Sequence, residues 1–242
     1  MINTADTARR DVVSHLDPKR RSKMGQFMTP SPVARYMASL FSQMDASEIR
    51  LLDPGAGVGS LTAAFLEELF RRDKHSTVVR EDFIHAGCEL LNGDLFPQHS
   101  AQERFTHVIM NPPYKKIRSD TTHRKNLQSV GIETSNLYTA FLALAIRLLE
   151  DGGELVAIVP RSFCNGLYFR PFRTLLHDCM ALRHIHVFHS RKKAFKEDDV
   201  LQENIIFHAV KGANRSTVTI SSTDGPDFTT LEKREVTSEK VI

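Results

Sequence analysis

Ile49-Arg50-Leu51-Leu52-Asp53-Pro54-Gly55-Ala56-Gly57-Val58-Gly59 decides the fold of this chain. A short run, apolar but for Arg50, leads into a glycine-dense turn, and Leu61–Phe70 beyond it carries apolar residues at helical spacing. The order is strand, glycine loop, helix. Glycines at such a turn let the backbone approach a ligand closely, where any Cβ would collide. The spacing G-x-G-x-G differs from the dinucleotide pattern G-x-G-x-x-G, and the GK[ST] of a phosphate loop is absent, so phosphate cradling is not favoured. Alone, the loop is also compatible with a purely structural turn.

Working outward, the same grammar recurs. Thr106–Met110 (THVIM) reads as a buried strand ending in Asn111-Pro112-Pro113-Tyr114. Leu137–Leu149 reads as an amphipathic helix stopped by Asp151-Gly152-Gly153, and Glu154–Val159 as another buried strand before Pro160. Phe172–Met180 follows as a helix, with Ile185–Phe188 and Asn204–Val210 as further strands. Upstream, Ser31 and Pro32 open a helix whose Val33, Tyr36, Met37, Leu40 and Phe41 share one face. Strands alternating with helices predict an α/β domain with a mostly parallel sheet and helices on both faces. Ligands in such sheets bind at the carboxyl ends of strands, where both distinctive loops lie.

Asn111-Pro112-Pro113-Tyr114 is the sharper signal. Two prolines stiffen the turn and remove two backbone donors. Acceptors remain: the Asn111 side-chain oxygen and the Pro112 carbonyl. Two fixed acceptors can hold both hydrogens of a planar –NH₂ group, draw its lone pair out of conjugation and aim it at an electrophile. The Tyr114 ring can stack on the base or amide that carries the amine. Lys115, Lys116, Arg118, His123, Arg124 and Lys125 follow at once, a basic loop suited to phosphate contact.

Composition permits this chemistry without arguing for it. The 242 residues are 41% hydrophobic and 25% charged with a net charge of +3, which suits one large α/β domain or one domain plus a small appendage. Cys88, Cys164 and Cys179 lack metal-ligand spacing and read as buried, reduced thiols, so no metal is expected. Neither a signal peptide nor a run of about 18 apolar residues is apparent, so the expectation is a cytoplasmic protein off the membrane. Residues 1–24 are polar and basic without an apolar stripe, residues 25–211 form the predicted domain, and residues 212–242 read as a polar, Ser/Thr-rich tail, hairpin or linker.

Together, DPGAGVG, NPPY and Ser135–Pro160 resemble the class I S-adenosylmethionine-dependent DNA adenine-N6 methyltransferases. The likeness is to the gamma motif order of the TaqI-methylase-like restriction–modification enzymes, in which a short cofactor motif precedes the glycine loop, as Gly25–Pro30 (GQFMTP) does here. The resemblance implies a Rossmann-like sheet and S-adenosylmethionine as cofactor. Thr29 and Pro30 would contact its methionine part. Asp53, Pro54, Gly55, Gly57 and Gly59 would cradle it, with Asp53 at the amino-acid end. Asn111, Pro112 and Pro113 would hold the target amine, Tyr114 would stack on a flipped adenine of double-stranded DNA, and Phe169 (or Phe163) would supply a second ring. Methyl transfer would be direct, with no covalent enzyme intermediate.

Two departures stand out. The resemblance implies a strand ending in a ribose-binding acid, then a helix and a third strand, yet only His75–Val79 fits between the first helix and Arg80-Glu81-Asp82-Phe83. About one βα unit is therefore lacking. Asp82 or Asp94 would meet the cofactor's adenine, and Glu81 is a weak match for the ribose acid. The chain also ends soon after its last predicted strand, so the sequence-reading domain is expected on a separate segment or chain. Beside the adenine-N6 enzyme stand two other readings: a methyltransferase acting on protein glutamine or RNA guanine, and a non-catalytic or partner-dependent DNA-binding remnant.

Overall fold

The computed structural model describes residues 2–15, 28–44, 48–72, 76–79, 104–189, 203–225 and 227–241. Among the described residues, eight strands form one sheet: β1 (Ile49–Leu52), β2 (Ser76–Val79), β3 (Phe105–Met110), β4 (Leu149–Pro160), β5 (Met180–Phe188), β6 (Asn204–Lys211), β7 (Thr217–Thr223) and β8 (Glu232–Thr237). Their order across the sheet is β2-β1-β3-β4-β6-β5-β7-β8. β2, β1, β3 and β4 run parallel, while β6 lies antiparallel between β4 and β5.

The sheet is buried on both faces because the hearts of its central strands carry consecutive apolar residues, not alternate ones. On β4, Leu155, Ala157 and Val159 enter one core while Val156 and Ile158 enter the other; on β3, Val108 and Met110 oppose Ile109 in the same way. One face is covered by α1 (Ile2–His15), α2 (Ser31–Ser39) and α3 (Ser60–Arg71), through Val33, Met37, Leu61 and Phe65. The other is covered by α5 (Leu137–Leu148) and α6 (Arg170–Cys179), through Leu142, Ile146, Phe172 and Leu176. Phe41 and Phe65 meet edge to face at 5.1 Å, and each is almost wholly buried. Truncating either to alanine removes about 3–5 kcal/mol.

A buried carboxylate ties this core to the loop after α2. Glu154, fully buried on β4, accepts from the Ser42 amide at 2.8 Å, the Gln43 amide at 3.0 Å and the Ser42 hydroxyl. His208 on β6 reaches it at 3.3 Å. Burial alone would raise this carboxyl, but the adjacent His208 and the Ser42 donors outweigh burial and hold it down to about 2.

Several sequence expectations change. Residues 1–24 were expected to be plain polar chain; instead residues 2–15 are helical, Ile2 is fully buried and its amide donates to Glu67 at 3.0 Å. Asp151-Gly152-Gly153 does not end a helix ahead of the strand. α5 stops at Leu148 and β4 already begins at Leu149, the register slipping between Phe105 and His107 to take up a bulge in which Gly152 has φ +83°. Of the readings for the stretch from residue 212, the structure has the hairpin, not a loose tail or linker: β8 pairs with β7 and β7 with β5, so it extends the main sheet. The basic loop after Tyr114 contains a helix, α4 (Thr122–Ser129), capped by the Thr121 hydroxyl. Cys164 is exposed instead of buried. Among the described residues, one strand, β2, lies outboard of β1. Glu81, Asp82, Asp94, Cys88 and the Gly25–Phe27 part of the early motif lie outside the described residues. Among the described residues, no helix is long and apolar enough to cross a membrane.

Candidate functional site

β1, β3 and β4 are parallel neighbours, so the segments leaving their carboxyl ends emerge on one edge of the sheet. After β1 comes the glycine loop. Gly55, Gly57 and Gly59 have φ of +74°, +55° and +82°, left-handed values that cost an L-residue about 1–2 kcal/mol each. Backbone conformation, not crowding, dictates glycine here: a Cβ on Gly57 would meet only the Gly55 carbonyl, at 4.0 Å. Asp53 is buried, and its Oδ2 accepts from the Thr62 amide at 3.2 Å and the Thr62 hydroxyl at 2.5 Å, fastening the loop to α3. Beside it, the Ser60 hydroxyl is buried in the first turn of α3 and makes no hydrogen bond. A turn open on its outer side, with a buried polar atom lacking a partner at its end, fits a small polar ligand such as the amino-acid part of S-adenosylmethionine.

After β3, Asn111 is held at both ends of its amide. Nδ2 donates to the Thr29 hydroxyl at 3.0 Å, and Oδ1 accepts from the Tyr114 hydroxyl at 2.8 Å. The same Tyr114 hydroxyl lies 3.3 Å from the Ile158 carbonyl on β4. Thr29, buried beside the start of α2, thereby connects the early motif to the Asn-Pro-Pro-Tyr turn. Pro112 is buried, and Pro30 and Pro113 partly so. Burial, with Tyr138 nearby, pushes the Tyr114 phenol upward, so it stays neutral.

Aromatic rings continue from there. Tyr138 on α5 stands 6.2 Å from Tyr114, edge to face, and 5.7 Å from Phe169. Its hydroxyl bonds Ser162 at 3.0 Å, and burial pushes it up to about 12. Phe169 is only partly buried, whereas Phe163 is enclosed between Phe172 and Phe207 as core. One turn along α5, the Phe141 ring lies 3.6 Å from where a Gly55 Cβ would stand. Sequence reasoning missed Tyr138, Phe141 and Ser60. The three-residue spacing of Tyr138 and Phe141 in one helix was the available signal.

Lys115, Lys116, Arg118, His123 and Lys125 are exposed. Backbone bonds from Leu137 to Lys115 (2.8 Å) and from Ile117 to Ser135 (2.7 Å) pin their loop to the start of α5. Arg118 pairs with Asp120 at 3.2 Å and Arg124 with Glu133 at 2.9 Å, surface contacts weak enough to be exchanged for phosphate.

Comparison with known proteins gives this edge a context. Residues 47–195 match the model of the Eco57I restriction-modification methylase family. The chain belongs to that family. The match takes in the glycine loop, the Asn-Pro-Pro-Tyr turn and the Phe169 segment. Among relatives, the type II methyltransferase M.BsuBI of Bacillus subtilis is 41% identical, over 100% of this chain and 54% of its own length. M.PstI of Providencia stuartii is 44% identical, over 90% of this chain and 49% of its own. The chain thus spans about half the length of these relatives. The alignment with M.BsuBI runs over 273 residues, more than the 242 present here, so that relative carries stretches this chain lacks. The fold is shared with the methyltransferase subunit of a type I restriction-modification system from Streptococcus thermophilus (TM-score 0.63, 20% identity, 83% of this chain and 48% of that one). It is also shared with the type IIG restriction endonuclease BpuSI (TM-score 0.61, 18% identity, 87% and 30%).

Proposed function

We propose that this chain is the catalytic half of a restriction–modification DNA methyltransferase that methylates adenine N6 with S-adenosylmethionine. The observation that carries the reading is the Asn111 amide, clamped between Thr29 and Tyr114 at the carboxyl end of β3. Family membership and the type II methyltransferases M.BsuBI and M.PstI support it.

Gly55, Gly57, Gly59 and Ser60 would hold the cofactor, with Thr29 and Pro30 at its methionine part and Asp53 orienting the loop through Thr62. When bound, the cofactor supplies an electrophilic methyl group. The chain's own residues position the amine. Asn111 Oδ1 and the Pro112 carbonyl each accept one N6 hydrogen, the target sharing Oδ1 with the Tyr114 hydroxyl or taking its place. Tyr114 and Phe169 offer rings to a base turned out of the helix, with Tyr138 packed behind both. Asn111 and Tyr114 are neutral, so the proton shed by the amine passes to solvent. Lys115, Lys116, Arg118, Arg124 and Lys125 would neutralise the DNA backbone. Asp82 or Asp94 would meet the cofactor's adenine. Sequence recognition would come from a further domain or chain, in keeping with the greater length of the relatives, and the site of action would be the cytoplasm, with the DNA.

The test is product identity. Unmethylated genomic DNA is incubated with the chain and isotopically labelled S-adenosylmethionine, then digested to nucleosides for mass spectrometry. Label in N6-methyldeoxyadenosine is the expected result. Label on a cytosine, or only on RNA or protein offered alongside, contradicts the proposal.

A further inference from the structure

Among the described residues, the exposed large apolar side chains are Phe70, Leu167 and Tyr168. Phe70 stands alone near the far end of α3. Leu167 and Tyr168, each 85% exposed, are adjacent at the tip of the loop joining β4 to α6, and the next residue is Phe169 of the candidate site.

The tip is built to hold that pose. Arg173 Nη1 donates to the Phe163 carbonyl at 2.8 Å and the Gly166 carbonyl at 2.7 Å, bracing the loop from α6. The Phe169 amide closes back on the Gly166 carbonyl at 3.1 Å. A Cβ on Gly166 would fall 2.9 Å from the Phe169 ring, so only glycine lets that ring fold under the loop. With Phe169 turned in towards Tyr138, its two predecessors point out. An apolar pair kept rigidly in water beside a ligand pocket is an anchor with its ordering entropy already spent.

Charge indicates what it anchors to. Residues 161–177 contain Arg161, Arg170 and Arg173 and no aspartate or glutamate. Arg170 is exposed, as are Lys115 and Lys116 on the loop after Tyr114, while the exposed Arg161 pairs with Glu203 at 2.5 Å, a surface contact that phosphate can replace. A cationic rim around an apolar tip matches a stack of bases between phosphates better than it matches an acidic or apolar protein face.

We infer that Leu167 and Tyr168 form a wedge that enters the base stack of the DNA and occupies the space vacated by the extrahelical target nucleotide. The inference rests on the DNA reading above and adds to it the element that keeps the duplex open. Turning a base out sacrifices stacking on both of its neighbours. A ring and a branched apolar side chain inserted at that step restore contact to them and hinder the base's return.

The chain contains no tryptophan, which makes the test direct. Tyr168→Trp installs a single indole at the tip. Binding of a dye-labelled duplex is followed by anisotropy, and indole emission and its quenching by acrylamide are read on the same samples. Bound duplex is expected to quench the emission and shield the indole from acrylamide. An indole unaffected by duplex that is demonstrably bound overturns the wedge and assigns the pair to a protein contact. A chain that binds no DNA overturns the DNA reading itself, so the two failures are distinguishable.

A second arm uses the double variant Leu167→Ser/Tyr168→Ser, whose melting temperature should match wild type because both side chains are exposed. At a site mapped with the wild-type chain, its methyl transfer to paired duplex should fall about tenfold or more. Placing an abasic position opposite the target should restore the rate, because the base is then already unpaired. Equal rates to wild type on both substrates, or equal losses on both, would overturn the wedge.

Discussion

Asn111 is a side chain whose two ends are both committed, and the proposed function gives that commitment a chemical use. An unrestrained amide presents oxygen or nitrogen almost indifferently; here Nδ2 lies against the Thr29 hydroxyl and Oδ1 against the Tyr114 hydroxyl. Thr29→Val keeps the shape and deletes the acceptor. The loss of about 1 kcal/mol in amide orientation should appear as a roughly fivefold fall in kcat, with the fold intact by thermal melting. An unchanged kcat would mean that the amide is oriented by something else. That Asn111 and Tyr114 stand together at the carboxyl end of β3 was legible in sequence, because they lie in one four-residue turn. The Thr29 bond was not, since 82 residues separate the partners.

At the scale of elements, the glycine loop and the polar clamps set the conditions under which the edge survives. Gly57→Ala places a Cβ at φ +55° without any steric collision, so its effect isolates backbone strain. Calorimetry should show S-adenosylmethionine affinity falling about fivefold to thirtyfold, the equivalent of 1–2 kcal/mol; full affinity would show that the loop is not the cradle. Acid stability separates two other devices. Tyr36 on α2 bonds His184 at 3.0 Å and Ser221 at 2.9 Å, and Ser221 bonds His186 at 2.8 Å, linking α2 to β5 and β7. Burial, aided by nearby Lys233 and His208, depresses His184 to about 4; burial, aided by His184 and His189, depresses His186 to about 3. Both are neutral in the fold and ordinarily titrate near 6.5, so the unfolded chain binds more protons between those values and stability drops as pH falls from 6.5 to about 3. Glu154 is held at about 2 against an ordinary 4.5, so its contribution is complete above pH 4.5 and is lost on the way down to 2. Replacing both histidines with glutamine should therefore flatten the melting curve's pH dependence between 6.5 and 4.5 and leave a slope below it. A slope unchanged by the double replacement would contradict this assignment.

Across the whole molecule, what the sequence made readable and what it hid follow from where polar residues sit. β1, β3 and the heart of β4 show as apolar runs between Gly, Pro and Asn, and their carboxyl ends carry the loops that chemistry demands. β7 and β8 were legible only as a polar stretch open to a hairpin or linker, because two of β7's buried residues, Ser221 and Thr223, are polar and are satisfied by a histidine on β5. α1 was hidden because, among its described apolar residues, only Ile2 is buried, at the very start of the helix. The tip at Leu167 and Tyr168 was unreadable for the opposite reason: its apolar residues look like core until the fold turns them outward. The edge where β1, β3 and β4 end gathers the glycine loop, the Asn111 clamp, the rings and the cations, which is why a single substitution there can test the whole. Tritiated methyl transfer to unmethylated DNA is compared for wild type and Asn111→Ala, with S-adenosylmethionine affinity measured on both. The expected result is a loss of about 100-fold or more in transfer with cofactor affinity within about twofold; transfer that survives the substitution would contradict the central claim.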